Sequence, residues 1–404
     1  MANSATSIAK TYLEALADEL EISESRYEQA EESYLSLGRW LNRDASAIKQ
    51  YKPTVYVQGS FGLGTVIKPL NAEEEYDVDA VCELKALQKS QLSQQHLKNL
   101  VGSEIESYRR AQAMTKPLHE GRRCWTLNYA DGAQFHMDVV PAVPNGDDVR
   151  ILLEQKHMDA RWAATAIAIT DNERLDYALM TSDWPRSNPK GYLQWFKSRM
   201  SVVLEKRRRV LAESTRASVE TIPDYKVCTP LQQAIMILKR HRDIMYCKDE
   251  INCCPISIIL TTLAAHAYEG EEEIAAALLS ILSNMDRYIE RDAQNRAIIR
   301  NPSDPLENFA DKWPEFPERE RAFYTWLRQA QSDFAYAAGL ADRSLIAESL
   351  SPHLGQELAK RAADRSATKA SGMLRPASAA AASALATPSF GNTARSPTKP
   401  QGFA

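Results

Sequence analysis

The 404-residue chain has no apolar run approaching the length of a membrane span, which takes about 20 residues for a helix. Its opening, Met1-Ala-Asn-Ser-Ala-Thr6, shows no basic region followed by an apolar one, so it does not read as a secretory leader. The expectation is a cytoplasmic protein. Cysteine is scarce: six in a chain of this length make no disulfide framework. Cys247, Cys253 and Cys254 cluster with His241 nearby, but they lack the Cys-x-x-Cys pair of a zinc site, and buried thiols are expected instead. Positive charge is not in excess. Lys and Arg number 49 against 53 Asp and Glu, for a formal net charge of -4. That balance excludes a protein whose main business is coating nucleic acid, while leaving room for a local basic groove. There are no internal repeats. What remains, 44% hydrophobic and 25% charged residues, is the composition of a soluble globular chain long enough for two domains or one bilobed body.

The stretch with chemical content runs from Val55 to Leu84. An apolar run ends in Gln58-Gly59-Ser60, and a second run reads Tyr76-Asp77-Val78-Asp79-Ala80-Val81. On a strand, residues i and i+2 share a face. Asp77 and Asp79 therefore project together, while Val78, Ala80 and Cys82 face a core. Paired carboxylates repel unless a cation lies between them, and a hard divalent ion takes oxygen ligands of this kind together with substrate phosphates. Gly59-Ser60 is a turn in which backbone N–H groups can approach an anion. A third carboxylate follows at Asp138, within the strand-like Gln134–Val143. An unpaired charge there is costly, so it is either a metal ligand or an edge residue facing water. Gly-Ser, then Asp-x-Asp, then a later strand Asp resembles the signature of the DNA polymerase β-like nucleotidyltransferase superfamily.

The remaining pattern divides the chain. Residues 5–45 read as helices, with Tyr27, Ala30, Tyr34, Leu37 and Leu41 on one face. Strands are expected at 54–59 and 76–84, a helix at 88–113, and strands at 124–130 and 134–143 joined by the hairpin signal Asp131-Gly132. A short strand or turn is expected near Arg150–Leu153. The Pro- and Gly-interrupted segment Trp184–Gly191 marks a lobe boundary. Beyond it, helices are expected at 192–213, whose Lys206–Arg209 run reads as a solvated face, and at 229–247, capped by Thr229. An almost wholly apolar helix follows from Pro255 to His266, then an amphipathic one at 271–294, a loop at 301–309 and a last helix at 318–347. From Ser366 large apolar residues almost vanish, so 366–404 reads as a flexible tail. The expected organisation is residues 1–186 as N-terminal helices and catalytic lobe, 187–365 as a helical lobe, then the tail.

The second-lobe motifs narrow the resemblance. Ser187-Asn-Pro-Lys-Gly-Tyr192, Leu238-Lys-Arg-His-Arg-Asp243, Pro255-Ile-Ser-Ile-Ile-Leu-Thr-Thr-Leu263 and Asn301-Pro302 with Glu307-Asn-Phe309, taken with Met137-Asp-Val-Val-Pro141 and the Gly-Ser and Asp pair, are similar to those of the bacterial cGAS/DncV-like nucleotidyltransferases (CD-NTases). The resemblance spans roughly residues 50–315. It implies an α+β, bilobed polymerase β-like fold with a mixed-sheet catalytic lobe. It implies an enzyme that joins NTPs, ATP among them, into a cyclic di- or trinucleotide second messenger for antiphage defence, read by a separate effector protein. Asp77, Asp79 and Asp138 would be catalytic and would hold two Mg2+ (or Mn2+) ions. Gln58, Gly59, Ser60, Asp77, Asp79, Lys239 and Ser257 would bind nucleotide, and Ser187 and Asn188 would touch a base or cap a helix. In some systems a ubiquitin-activating-like enzyme joins the synthase C-terminus to other molecules, which makes the Ala404 carboxylate an expected conjugation point. Two readings with linear products stay open: a template-independent RNA nucleotidyltransferase and an oligoadenylate synthase-like enzyme. The base composition, ring size and linkage of the product stay open as well.

Overall fold

Among the described residues seven strands build the sheet that carries the acidic residues, and the first five are β1 (Pro53–Val57), β2 (Tyr76–Leu84), β3 (His119–Glu120), β4 (Trp125–Asn128) and β5 (Phe135–Pro144). In the computed structural model, residues 5–69, 76–129, 135–215 and 227–373 are described. The Asp131-Gly132 hairpin signal and Ala404 lie outside them.

The sheet order is β1-β2-β5-β4-β3, with β6 (Ile167–Ile169) pairing the far end of β5 and β7 (Arg186–Ser187) pairing β6. β2 and β5 run parallel while β1–β2, β4–β5 and β5–β6 are antiparallel, so the sheet is mixed as expected. Val78, Ala80, Cys82, Met137 and Val139 point to one side and are fully buried against α2 (Glu24–Leu41) and α4 (Gln94–Ala111). The alternation sends the carboxylates to the opposite side. The tight spot in this packing is Gly102 of α4, where an added Cβ would lie 2.4 Å from the Trp125 indole. That indole is pinned, since its Nε1 donates to the Lys98 carbonyl at 2.9 Å.

The second lobe is helical: α6 (Pro189–Thr215), α7 (Pro230–Met245), α8 (Ser257–Ala267), α9 (Ile274–Asn284), α10 (Pro317–Gly339), α11 (Arg343–Leu354) and α12 (Gln356–Met373). Thr229 caps α7 through a reciprocal pair with Gln232, as its position before Pro230 suggested. α1 (Ser7–Leu20) packs here, not on the sheet: Tyr12, Leu13, Leu16 and Leu20 are buried among residues of α7, α9, α11 and α12. Among the described residues, no helix is long and apolar enough to cross a membrane.

Several sequence expectations need correction. Residues 150–153 belong to a helix, α5 (Gly146–Gln155), because Asp147 and Asp148 favour its first turn and Val149 and Leu153 bury one face. The helix expected at 271–294 stops at Asn284, and the chain then forms a two-stranded piece, β8 (Glu290–Arg291) with β9 (Ala297–Ile298). The loop expected at 301–309 is largely a hairpin of β10 (Arg300–Asn301) and β11 (Asp304–Asn308). The last long helix is broken after Gly339, where Asp342 accepts from the Ser344 and Leu345 N–H groups and starts α11. The tail does not begin at 366. α12 runs to Met373 because Ala362 and Ser366 are buried and Arg361, Arg365 and Lys369 pair with Asp18 and Glu19 of α1. The basic run on α6 is engaged too: Lys206 pairs with Glu272, and Arg207 donates to the Cys228 carbonyl.

Gly102→Ala is expected to lower stability, although alanine in a helix interior ordinarily gains about 1 kcal/mol over glycine. Overpacking against a pinned indole costs about 1–3 kcal/mol and outweighs that gain. Urea unfolding measures it, and an unchanged or raised midpoint would show that Trp125 has room to move.

Candidate active site

The acidic row is set by strand register. In the parallel β2–β5 pair, Asp79 stands opposite Asp138 and Asp77 opposite His136. On the other flank of β5, Thr126 of β4 stands opposite Asp138, and its hydroxyl donates to Asp138 Oδ1 at 2.6 Å. Oxygens of Asp77 and Asp138 and a ring nitrogen of His136 all lie within 4.8 Å of one another. His136 Nε2 is 3.5 Å from Asp77 Oδ1. His136 was not singled out from the sequence, yet the signal was there: it lies two residues before Asp138 on the same strand, and so on the same face.

Asp79 is turned toward the chain leaving β1. Gln58 is extended there, and its N–H donates to the Asp79 carbonyl at 2.8 Å. Gly59 follows at φ +57° and opens a one-turn helix, α3 (Gly59–Leu63). A Cβ on Gly59 would lie 2.1 Å from Asp79 Oδ2. Both the left-handed backbone and the contact demand glycine.

The second lobe supplies the facing wall. A cavity of about 540 Å³ is lined by Gly59, Ser60, Asp77 and Asp79 on one side and by Lys239, Arg240, Arg242 and Ser257 on the other. Lys239 of α7 is buried, and its Nζ donates to the Thr65 carbonyl at 2.9 Å and the Thr65 hydroxyl at 3.2 Å. It thereby ties α7 to the segment behind α3. Arg242, one helical turn on, donates to Ser257 Oγ at 2.9 Å and grips Asp243. Arg242 too was missed as a site residue; its i+3 spacing from Lys239 was the available signal.

A second cavity of about 450 Å³ shares Gly59, Asp79 and Ile258 with the first. Gln58, Tyr56, Ser187, Asn188, Tyr192, Glu307 and Phe309 line it. The Asn188 side chain is fully engaged. Its Oδ1 accepts from the Gly191 N–H at 3.0 Å and the Thr165 hydroxyl at 2.8 Å, and its Nδ2 donates to the Trp162 and Ser303 carbonyls. Asn188 is thus the cap of α6. Glu307, exposed on its strand, accepts from Asn301 at 2.6 Å, and desolvation in the cleft raises its carboxyl pKa.

The electrostatics of the site follow from this packing. Burial, then the charges of Asp77 and Asp138, push the Asp79 carboxyl up to about 7. Desolvation in the cleft and Asp138 raise Asp77 as well, partly offset by His136. Burial and Arg242 push the Lys239 ammonium down to about 7, against the pull of Asp243 and Asp79. The acidic row carries more negative charge than the neighbouring cations offset, which is the donor chemistry of a divalent-metal site.

Comparison with known proteins agrees with this geometry. Residues 8–168 match the profile of the Second Messenger Oligonucleotide or Dinucleotide Synthetase domain. A c-di-GMP synthase of Roseivirga ehrenbergii is 29% identical over 350 residues, 84% of each chain. The cyclic dinucleotide synthase CdnG of Bradyrhizobium diazoefficiens is 26% identical over 75% of this chain and 70% of that one. The chain is a nucleotidyltransferase similar to the CD-NTases, and it has their fold. The structure of the Bradyrhizobium diazoefficiens CD-NTase CdnG in complex with GTP superposes with a TM-score of 0.65 at 22% identity, over 90% of this chain and 99% of that one.

Two outcomes follow for this site. Gly59→Ala is expected to displace the Asp79 carboxylate and abolish pyrophosphate release from NTPs while the protein stays folded; turnover near wild type would show that α3 can shift at no cost. The raised Asp79 pKa means that the folded state binds this proton more tightly than the unfolded chain. The stabilisation is complete below the ordinary carboxylate pKa of 3.8 and is lost as pH rises through about 7. Without added metal, wild type should lose thermal stability between about pH 5 and pH 7.5 relative to Asp79→Asn. Parallel melting-temperature profiles would contradict the shift.

Proposed function

We propose that the chain is a cyclic dinucleotide synthase that takes GTP as a substrate and joins nucleotides by nucleotidyl transfer with release of pyrophosphate. One observation carries the reading: two cavities meet at Gly59 and Asp79, one walled by cations and one by aromatic and polar groups. Such a site holds two nucleotides with their reacting ends at the carboxylates. The family profile and the names of the two relatives favour a cyclic product over the linear alternatives. An RNA-extending enzyme also needs a platform for its primer, and the basic run on α6 is tied to Glu272 and the Cys228 carbonyl.

In this reading, Ser60 and the backbone around Gly59 hold the donor triphosphate from one side. Lys239, Arg242 and the Arg242-oriented Ser257 hold it from the other. Lys239 reaches the phosphates as a point charge, exchanging its bond to Thr65 for one to the ligand. Asp77, Asp79 and Asp138 would hold two divalent ions, Mg2+ or Mn2+, and the uncompensated charge of the row fits that role. Such ions, when bound, favour ionisation of an acceptor 3′-hydroxyl and steady the charge at the transferring phosphorus. Asp138 keeps one oxygen on Thr126 and has the other to take the hydroxyl proton.

The second cavity supports a guanine. Tyr56, Tyr192 and Phe309 provide apolar walls, and the Glu307 carboxylate accepts hydrogen bonds where guanine presents its adjacent N1–H and N2–H2 donors. Ser187 stands at the rim as a further base contact. The antiphage setting, with a separate effector reading the product, is part of the proposal and rests on the family likeness, as does conjugation at Ala404.

The deciding experiment incubates the enzyme with all four NTPs and Mg2+ or Mn2+ and analyses the product by mass spectrometry and nuclease mapping. A small, phosphatase-resistant product containing guanine is expected without added RNA. A phosphatase-sensitive ladder or an extended primer would favour the linear readings. Lys239→Ala should weaken NTP binding by about tenfold to a hundredfold, as one charge-assisted contact is worth about 1.5–3 kcal/mol. Unchanged affinity would leave this lysine with only its tie to Thr65.

A further inference from the structure

Away from the cleft, three helices of the second lobe bring two imidazoles and a carboxylate to one point. His241 lies on α7, Asp333 on α10 and His353 on the last turn of α11. His241 Nε2 is 3.0 Å and His353 Nδ1 is 2.7 Å from the same oxygen, Asp333 Oδ2. The ligand atoms of the three residues all lie within 4.8 Å of one another. The two rings lean together with centroids 5.1 Å apart. His241 is fully buried, while the His353 side chain is 26% exposed. The cysteines near His241 in sequence take no part: Cys253 donates to Asp249 at 3.4 Å, as does the Cys254 N–H at 2.6 Å.

We propose that His241, Asp333 and His353 form a zinc site that fastens α11 to α7 and α10. Zn–N and Zn–O bonds of about 2.0–2.2 Å in tetrahedral geometry place ligand atoms about 3.3 Å apart, so the two nitrogens, now 3.0 and 2.7 Å from Asp333 Oδ2, need only draw back slightly from that oxygen to admit the ion, with all three ligand atoms already within 4.8 Å of one another. The donor set chooses the metal. Two imidazoles and one carboxylate suit zinc, whereas Mg2+ takes oxygen ligands. The surroundings are those of a ligand carboxylate. Gln329 Nε2 donates to Asp333 Oδ1 at 2.8 Å, which holds the other oxygen toward both rings. The partly exposed side of His353 leaves the fourth position open to a water. Binding takes the place of the protons shared between the rings and Asp333, and no redox step is involved. The site is separate from the acidic row, and its consequence is mechanical. α7, which carries Lys239 and Arg242, is anchored from behind by the C-terminal helices.

The test uses the full-length chain without a polyhistidine tag, loaded with Zn2+ and freed of excess. Metal content is read by plasma mass spectrometry and affinity by competition with a chromophoric chelator. About one equivalent of tightly held zinc is expected in wild type and in the Asp77→Asn/Asp79→Asn variant, and loss of it in His353→Ala and Asp333→Asn. His353→Cys, which keeps a zinc ligand, should retain the metal, and Gln329→Ala should weaken it by about 10–100-fold. Circular dichroism confirms that each variant is folded. Wild type without bound zinc, or zinc held equally by His353→Ala and Asp333→Asn, would overturn the site. So would zinc lost only with the Asp77/Asp79 change.

Discussion

The structure depends on keeping like charges together. Asp77, Asp79 and Asp138 occupy adjacent positions on two parallel strands, where register alone brings them into one row. The sheet cannot relieve the repulsion by rotating one of them away, because each next residue along the strand is locked in the core: Val78, Ala80, Met137 and Val139 are all fully buried. The fold therefore holds an arrangement that is unfavourable by itself and becomes favourable with cations, as a preorganised electrostatic site requires. The upward shift of Asp79, caused by burial and then by Asp77 and Asp138, reports that tension.

The second lobe completes the site and also sets its distance from the first. The Lys239–Thr65 and Arg240–Lys68 contacts join α7 to the segment following α3, and Gln232 donates to the Leu63 carbonyl at 2.9 Å. Of these side chains, Lys239 and Arg240 also face the cleft. The lobe contact and the ligand wall are thus built from the same helix. α1 adds to this: its apolar face completes the helical core although it begins the chain, so the termini of the described fold are held together by the pairs between Asp18, Glu19 and the basic residues of α12.

Much of this was legible in the residues. Strand periodicity put Asp77 and Asp79 on one face, and the motif spacing carried the resemblance to the CD-NTases. Its unbroken apolar run marked the central helix α8, and Pro230 in the first turn marked the Thr229 cap. Other features were hidden for physical reasons. Asn188 capping α6 and Asn188 touching a base demand the same residue type, and only its four hydrogen bonds distinguish them. Residues 366–373 have too few large apolar groups to read as folded, yet helix propensity and the ion pairs of Arg365 and Lys369 with Asp18 and Glu19 of α1, at the other end of the chain, order them.

By itself, then, the sequence determined what depends on local period and chemistry: the strand carrying two carboxylates, the glycine turn before it, the helices with a clear apolar face and the likeness to the CD-NTases. Only the tertiary structure decided what depends on pairing between distant segments. That includes the register placing Asp138 beside Asp79, the entry of His136 and Arg242 into the site, the packing of α1 with the far lobe and the meeting of His241 with Asp333 and His353. The division has a simple cause. Hydrogen-bond periodicity along one element is written in neighbouring residues, whereas contacts across elements are chosen by the packing of the whole core.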